Sequence, residues 1–390
     1  MFEKIILRSS SNGQPITLGE LSEALLFYSK VHLVLDSASI TSLVRAIKME
    51  GLLALINRKH VTAVYCDDML RVFTETVGVM EYHKFTGMTV VGTQDDPEGT
   101  NSPMKRIAYT LQKCGYEKKV ALSFAKKFVA QVPVRRLTGD DYIKGGLHRA
   151  VERDLADPIF TKASVQEIIS KSSTQNLEFE VLQSSSDYLV FSNIDFKNIN
   201  SFRMMHSPEL GELTHALILR EILAARADAQ LAAKYGGDFY TSDIASSIIR
   251  LRDASLLSQL GINQSEIFSL TETVLPDSPT VKEALNSGER SFDDFLKVLD
   301  KSQKFRDWIQ KVHPDRTLLQ EYVKSITSEG WVDKLPVKVL RYVMGEVISA
   351  ISPSVELAVG LADSLLLDKY LTGWRPNHFV EKTLKPFVDK

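Results

Sequence analysis

The densest run of apolar positions in this chain lies near its C-terminus, from Leu335 to Phe379. In the first part of the run, apolar residues recur at steps of three and four, which predicts an amphipathic helix. In the second part almost every position is apolar, which is typical of a helix that is buried or in contact with lipid. Ser352 and Pro353 separate the two parts. We therefore predict an apolar helical hairpin that packs inside the C-terminal half of the molecule.

The same run is long enough to raise the question of a membrane span. Residues 347–367 could cross a bilayer by length, but Glu356 and Asp363 fall inside them. An acidic residue near the bilayer centre costs about 2.5–3.5 kcal/mol on insertion scales, and Pro353 interrupts the helix. We expect no integral membrane span. A hairpin that leaves the protein to enter a membrane is the alternative hypothesis.

The N-terminal part of the chain has a different periodicity. Short β-prone runs cover 2–8, 32–35 and 61–65. Thr17 and Glu20 have the spacing of a capping box, which predicts a helix that begins there. The helical period between the second and third runs makes a strand–helix–strand unit, so the two strands are expected to be parallel neighbours.

Further β-prone runs cover 70–76, 79–91, 177–182 and 188–194, and the last two flank a polar turn, which predicts a hairpin. After Asn200 we find helical periods and no further strand pattern. The predicted fold class is therefore α+β. An N-terminal α/β domain with a small mixed sheet is expected over residues 1–200, followed by an all-helical domain over 201–390 that ends in the apolar hairpin.

Charge and cysteine content narrow the classes of protein only slightly. The 390 residues carry a formal net charge of −2, so no global field indicates a polyanionic partner. The two cysteines, Cys66 and Cys114, form neither a disulfide framework nor a zinc motif. This composition favours a reducing, cytoplasmic setting. We interpret Cys66 as a core thiol, since no base can be assigned to it.

Three acidic residues follow the predicted parallel strands: Asp36 after the second, and Asp67 and Asp68 after the third. Open α/β sheets bind ligands at the carboxyl ends of their strands. Carboxylates grouped there could hold Mg²⁺ or Mn²⁺ for phosphodiester hydrolysis, with Glu75 or Glu81 as a further ligand. The arrangement resembles that of PIN-like nucleases, in which the first strand also ends in Asp before a helix. The alternative is that Asp36 caps a helix and the other two form a turn.

Basic residues are concentrated between positions 104 and 154, which carry twelve Lys or Arg and five Asp or Glu. Within the predicted helix 117–131, the lysines and the apolar residues occupy different faces. Such a face could bind nucleic-acid phosphates, or it could be a solvated face or pair with acidic regions of the same chain. The candidate nucleic-acid-binding residues are Lys118, Lys119, Lys126, Lys127, Arg135 and Arg136.

One further pair has the spacing of metal ligands. Glu212 and His215 are three residues apart, as in one ligand pair of a di-iron bundle. Such a bundle needs two Glu-x-x-His pairs, and the chain contains no second one. We therefore interpret His215 as a helix-surface or packing residue.

The working hypothesis is a non-catalytic interaction or assembly protein of the bacterial cytoplasm, with a protein partner or self-association through its helical half. Contact with nucleic acid and a role in stress or phage defence are further hypotheses, and no cofactor is expected. The first alternative is a metal-dependent nuclease or phosphodiesterase that uses Mg²⁺ or Mn²⁺ at Asp36, Asp67 and Asp68. The second is a membrane-active effector that acts through residues 335–371.

Overall fold

The computed structural model has the predicted α+β fold and describes most of the chain outside the apolar run. The described residues are 2–9, 14–89, 102–139, 141–142, 144–169, 176–184, 187–206, 208, 211–239, 243–252, 262–275, 278–313, 318–326 and 374–389. They form two compact units. We call residues 5–16 and 32–261 the sheet unit, and residues 1–4, 17–31 and 262–390 the helical unit.

The strands form two four-stranded sheets. Sheet A has the strand order β3-β2-β1-β8, and sheet B has the order β4-β5-β7-β6. The strands are β1 Lys4–Arg8, β2 Lys30–Leu35, β3 Val61–Tyr65, β4 Asp68–Val77, β5 Met80–Thr89, β6 Phe179–Ser184, β7 Asp187–Ser192 and β8 Asp238–Phe239.

The helices lie between and after these strands. They are α1 Leu18–Phe27, α2 Ser37–Ile56, α3 Pro103–Lys113, α4 Lys118–Gln131, α5 Gly146–Leu155, α6 Pro158–Ile169, α7 Phe196–His206, α8 His215–Tyr235, α9 Asp243–Arg252, α10 Ile262–Val274, α11 Val281–Asn286, α12 Phe292–Lys301, α13 Gln303–Lys311, α14 Leu318–Ile326, α15 Pro376–Phe379 and α16 Lys385–Val388. A π-helical turn, Val380–Leu384, joins the last two.

Sheet A contains the predicted strand–helix–strand unit. β2 and β3 are neighbours, and α2 connects them. β1 pairs in parallel with β8, with Ile5 opposite Asp238 and Ile6 opposite Phe239. β8 was not predicted, because a strand of two residues has too short a pattern to recognise after Asn200.

Sheet B is antiparallel, and its register defines two faces. β4 and β5 form a hairpin in which Thr74 lies opposite His83, and β5 places His83 opposite Tyr188 of β7. β6 and β7 form the second hairpin, as the pattern predicted. Because side chains alternate along a strand, one face carries His83, Phe85 and Tyr188, which are buried. We call this the inner face. The opposite, outer face carries Phe73, which is largely exposed.

Helix α8 is the central helix of the sheet unit. Its apolar side chains are buried over nearly its whole length, and they belong to one continuous core that also contains residues of both sheets. Asp228 of α8 forms an ion pair with Arg8 of β1, with Nε and Oδ1 2.6 Å apart. A helix that is apolar on more than one face can be stable only where it is covered on several sides.

The helical unit is built on the contact between α1 and α11. The capping box at Thr17 and Glu20 is present, as predicted. Gly19 lies so close to the Lys282 carbonyl that a Cβ would come within 2.4 Å of its oxygen, which excludes any larger residue there. The Gly19 amide donates to Asn286 Oδ1 at 2.9 Å. α1 and α11 therefore meet backbone to backbone.

Several predictions of elements differ from the structure. The sequence pattern over 141–171 predicts one continuous helix, whereas the structure has two, because α5 ends at Leu155 and α6 begins at Pro158. Ser207 and Pro208 in the sequence predict the start of a long helix, whereas α8 begins at His215, after Thr214, whose hydroxyl accepts from the Leu217 amide. The two units are not continuous in sequence, since α8 and α9 lie in the sheet unit and α1 lies in the helical unit. The division into domains at residue 200 stays a prediction.

The apolar hairpin predicted over 335–371 lies outside the described residues. Of the helices that the structure does describe, none combines the length and the apolar character that a transmembrane span requires.

Glu23 provides a test of the packing of α1. Burial is the largest cause that raises the pKa of its carboxyl, from 4.5 to about 7. The folded state thus binds a proton that the unfolded state releases between these values, so the free energy of unfolding falls as pH rises from 4.5 to 7. We expect Glu23→Gln to be more stable than the wild type by about 3 kcal/mol above pH 7 and equally stable at pH 4.

Urea unfolding of the full chain at several pH values measures this difference. Glu289→Gln, an exposed change in the same unit, is the matched control and should leave the pH dependence unchanged. An equal gain from Glu23→Gln at pH 4 and pH 8 would contradict the prediction.

Candidate functional site

The candidate site lies on the inner face of sheet B, where β5 meets the start of α8. Glu81 and His83 are two residues apart on β5, so their side chains point to the same face. His215 is the first residue of α8. One ligand atom from each of these three side chains lies within 4.8 Å of the others. Among the described residues, this is the group of histidine, cysteine and acidic side chains with a geometry suited to a metal ion.

His83 is almost completely buried, with 1% of its surface exposed. Its Nδ1 lies 2.9 Å from Oγ1 of Thr74, the residue opposite it on β4. Its Nε2 is buried and has no hydrogen-bond partner among the described residues. The nearest oxygen of Glu81 is 4.0 Å from that nitrogen, beyond hydrogen-bond distance. A buried polar atom without a partner costs free energy, and native proteins contain few of them.

His215 is half-buried and has a similar arrangement of partners. Its Nε2 lies 2.8 Å from the hydroxyl of Ser192 on β7, so Nδ1 is the nitrogen that a metal could take without breaking this contact. Phe196 packs edge-on against the ring, with centroids 4.8 Å apart. The imidazole of His83 lies 6.0 Å away between ring centroids. Each histidine therefore uses one nitrogen on a hydroxyl.

The electrostatics keep both imidazoles neutral. Burial is the main cause that lowers the pKa of His83, and Glu81 opposes it only in part. Burial also lowers the pKa of His215, and His83 adds to the effect. A metal binds the neutral imidazole, so both histidines are held in the protonation state that ligation requires. Glu81, with 55% of its side chain exposed, supplies a negative charge at the solvent side of the group.

Two histidines and one carboxylate are a common ligand set for zinc and for other divalent transition metals. Ligand atoms around a tetrahedral zinc lie about 3.3 Å apart, given zinc bonds of about 2.0–2.1 Å. The present group is wider than this. The exposed side chain of Glu81 is the one that can move inward. Thr74 and Ser192 already hold the outer nitrogens of the two histidines, as the hydroxyls and carbonyls around metal sites do.

Asp36 and Asp67 both lie at the start of α2. Asp36 caps this helix, because its Oδ1 accepts from the Ser39 amide at 2.7 Å. Asp67 is buried, and its Oδ1 accepts from the Ser37 amide at 3.1 Å. The other oxygen of Asp67 accepts from two more groups, the Tyr65 hydroxyl at 2.7 Å and Arg106 Nε at 3.1 Å.

Asp68 faces a different segment. Its Oδ2 accepts from the amide and the hydroxyl of Thr138, at 3.1 and 2.9 Å, and Arg136 Nε lies 3.6 Å from Oδ1. Donors of the protein thus engage all three carboxylates. Asp36 has the cap role of the alternative interpretation, whereas Asp67 and Asp68 form no turn, since Asp68 is the first residue of β4. Among the described residues, the three do not form a compact ligand group. The Mg²⁺ or Mn²⁺ site stays a prediction without geometric support.

The six basic candidates are all exposed. Lys118, Lys119, Lys126 and Lys127 line the solvent side of α4, whose opposite side buries Ala121, Ala125 and Phe128. Val120, which we expected on the apolar face, is 40% exposed. Arg135 and Arg136 follow the helix, and Arg136 contacts Asp68. Binding of nucleic acid by these residues stays a prediction.

Two other interpretations can be compared with the structure. Cys66 is buried, and burial is the largest cause that raises the pKa of its thiol to about 12, which fits a core thiol. The helical spacing of Glu212 and His215 is not realised, because α8 begins at His215 and Glu212 precedes it. Of the two interpretations of His215, the packing residue is the one that fits, because the half-buried ring packs against Phe196 and adjoins His83.

Comparisons with protein-family models, with curated proteins and with solved structures found no match to this chain.

In the sequence, Glu81 is predicted only as a further ligand beside the aspartates, and His83 is not among the predicted site residues. The available signal was the alternation Glu81-Tyr82-His83 in a β-prone run, which places both side chains on one face. Nothing in the local pattern joins them to His215, which lies more than a hundred residues further along the chain.

Replacement of Asp36 distinguishes its role as a helix cap from a role as a metal ligand. We expect Asp36→Ala to lower the free energy of unfolding by about 1 kcal/mol, because an N-cap is lost. The loss should be the same with and without Mn²⁺. Thermal unfolding of both proteins under the two conditions measures it. Stabilisation of the wild type by Mn²⁺ that the variant lacks would support the nuclease alternative instead.

Proposed function

We propose that this protein binds a divalent transition-metal ion, with zinc as the reference metal, through Glu81, His83 and His215. The observation that carries the proposal is Nε2 of His83, a buried nitrogen without a hydrogen-bond partner that faces a carboxylate and a second imidazole. A bound metal would satisfy that nitrogen.

Three features of the surroundings support this function. The two imidazoles are held neutral by burial, so no proton has to be released from them when the metal binds. Thr74 and Ser192 orient the two rings from their far sides. The ligands come from β5 and from the first turn of α8. A metal would therefore link sheet B to the central helix of the sheet unit and stabilise the folded state.

The role of the metal-binding protein in a larger assembly is a separate matter. The interaction or assembly role, the contact with nucleic acid and the membrane-active alternative stay predictions. The outer face of sheet B exposes Phe73, Leu182 and Phe191 by 44–48%, which is compatible with an interaction role without identifying a partner.

Metal removal and readdition test the proposal directly. We expect the chelator-treated full chain to bind one zinc ion in equilibrium dialysis. Zinc at a hundred times its Kd should stabilise the fold by about 2.7 kcal/mol, which raises the Tm of a unit of this size by about 5–10 °C. Absence of both effects would contradict metal binding.

The variant Glu81→Gln tests whether zinc binds at the proposed site. The change is isosteric and exposed, so the fold should remain, while loss of the charged ligand should weaken zinc binding by at least about tenfold. Glu75→Gln is the matched control, because Glu75 lies in the same hairpin on the outer face of the sheet. If the two variants bind zinc equally well, the ion is held elsewhere.

A further inference from the structure

We infer that a metal held by Glu81, His83 and His215 keeps one coordination position open to solvent, and that this position takes a small anionic donor such as hydroxide or a carboxylate. The inference rests on the proposed metal binding and specifies the ligand class of the same site.

The number of protein ligands indicates an open coordination position. Within the part of the chain that the structure describes, the group has three members, whereas zinc and cobalt in proteins most often have four ligands. Structural zinc sites are closed by four protein ligands. Sites with three protein ligands and one exchangeable position are those that bind and activate a water or another small molecule.

The positions of the three ligands indicate which side of the metal is open. His83 is 1% exposed and lies under the sheet, whereas the Glu81 side chain is 55% exposed. The group therefore spans the boundary between the core and solvent. Apart from His83, the ring neighbours of His215 are Phe179 and Phe196, which supply no ligand atom. The open side of the site is the side on which Glu81 meets water.

The net charge of the metal-loaded site favours an anionic donor. A divalent ion contributes two positive charges, Glu81 contributes one negative charge, and the two neutral imidazoles contribute none. The sum is one positive charge, which a monoanion neutralises at the open position.

Cobalt substitution makes the open position visible. Tetrahedral Co²⁺ absorbs in the visible range, and its spectrum changes when an external anion enters the coordination sphere. The experiment titrates the Co²⁺-loaded full chain with azide, a small monoanion. We expect a saturable spectral change with one azide per cobalt. In Glu81→Gln, removal of the opposing charge should strengthen azide binding at least threefold in the fraction that retains cobalt.

Three further results test the open coordination position and the metal binding separately. A cobalt spectrum that azide leaves unchanged would overturn the open position while metal binding stands, because all four positions would then be filled. A chain that gives no cobalt spectrum and binds no zinc would overturn both. The azide response should disappear in His83→Gln and persist in His206→Gln, a change of an exposed histidine on α7. If both variants respond alike, the anion binds at another site and the inference fails. Circular dichroism checks that His83→Gln is folded before its azide response is compared.

Discussion

The sheet unit depends on the burial of helix α8. This helix has apolar side chains on most of its circumference, and water-exposed surface of that kind is unfavourable by roughly 25 cal/mol per Å². The chain covers it with both sheets, and one continuous core includes residues of sheet A, α8 and sheet B. The ion pair between Asp228 and Arg8 adds a polar link between the helix and β1. The positions of the other elements of this unit follow from the need to enclose α8.

The candidate metal centre is a consequence of that packing. The inner face of sheet B must face the core, so every second residue of β5 is drawn inward, including His83. An imidazole in that position needs a partner for each nitrogen. Thr74 satisfies one, and the start of α8 brings His215 next to the other. A metal would convert a costly contact between two imidazoles into a link between the sheet and its central helix.

The three aspartates at the edge of sheet A, unlike Nε2 of His83, already have hydrogen-bond partners within the protein. They were the stronger candidates in the sequence because acidic residues after parallel strands are a known site for cations. In the structure, backbone amides, hydroxyls and guanidinium groups already donate to them. A carboxylate that accepts this many internal hydrogen bonds stabilises the local fold, and a metal would have to displace those donors. The two sites therefore differ in whether their ligand atoms are already hydrogen-bonded within the protein, rather than in how many acidic residues they contain.

Local patterns along the sequence determined the elements themselves. The capping box at Thr17, the strand at 61–65 and the hairpin between β6 and β7 were all predicted, because alternation, caps and turns depend on residues close in the chain. The α+β class follows from the same patterns. The assignment of α1 to the helical unit and of α8 to the sheet unit was decided by tertiary packing, since it depends on which apolar faces fit together over long separations. The meeting of Glu81 and His83 with His215 belongs to the same category, because a site shared by distant segments exists only once the chain has folded.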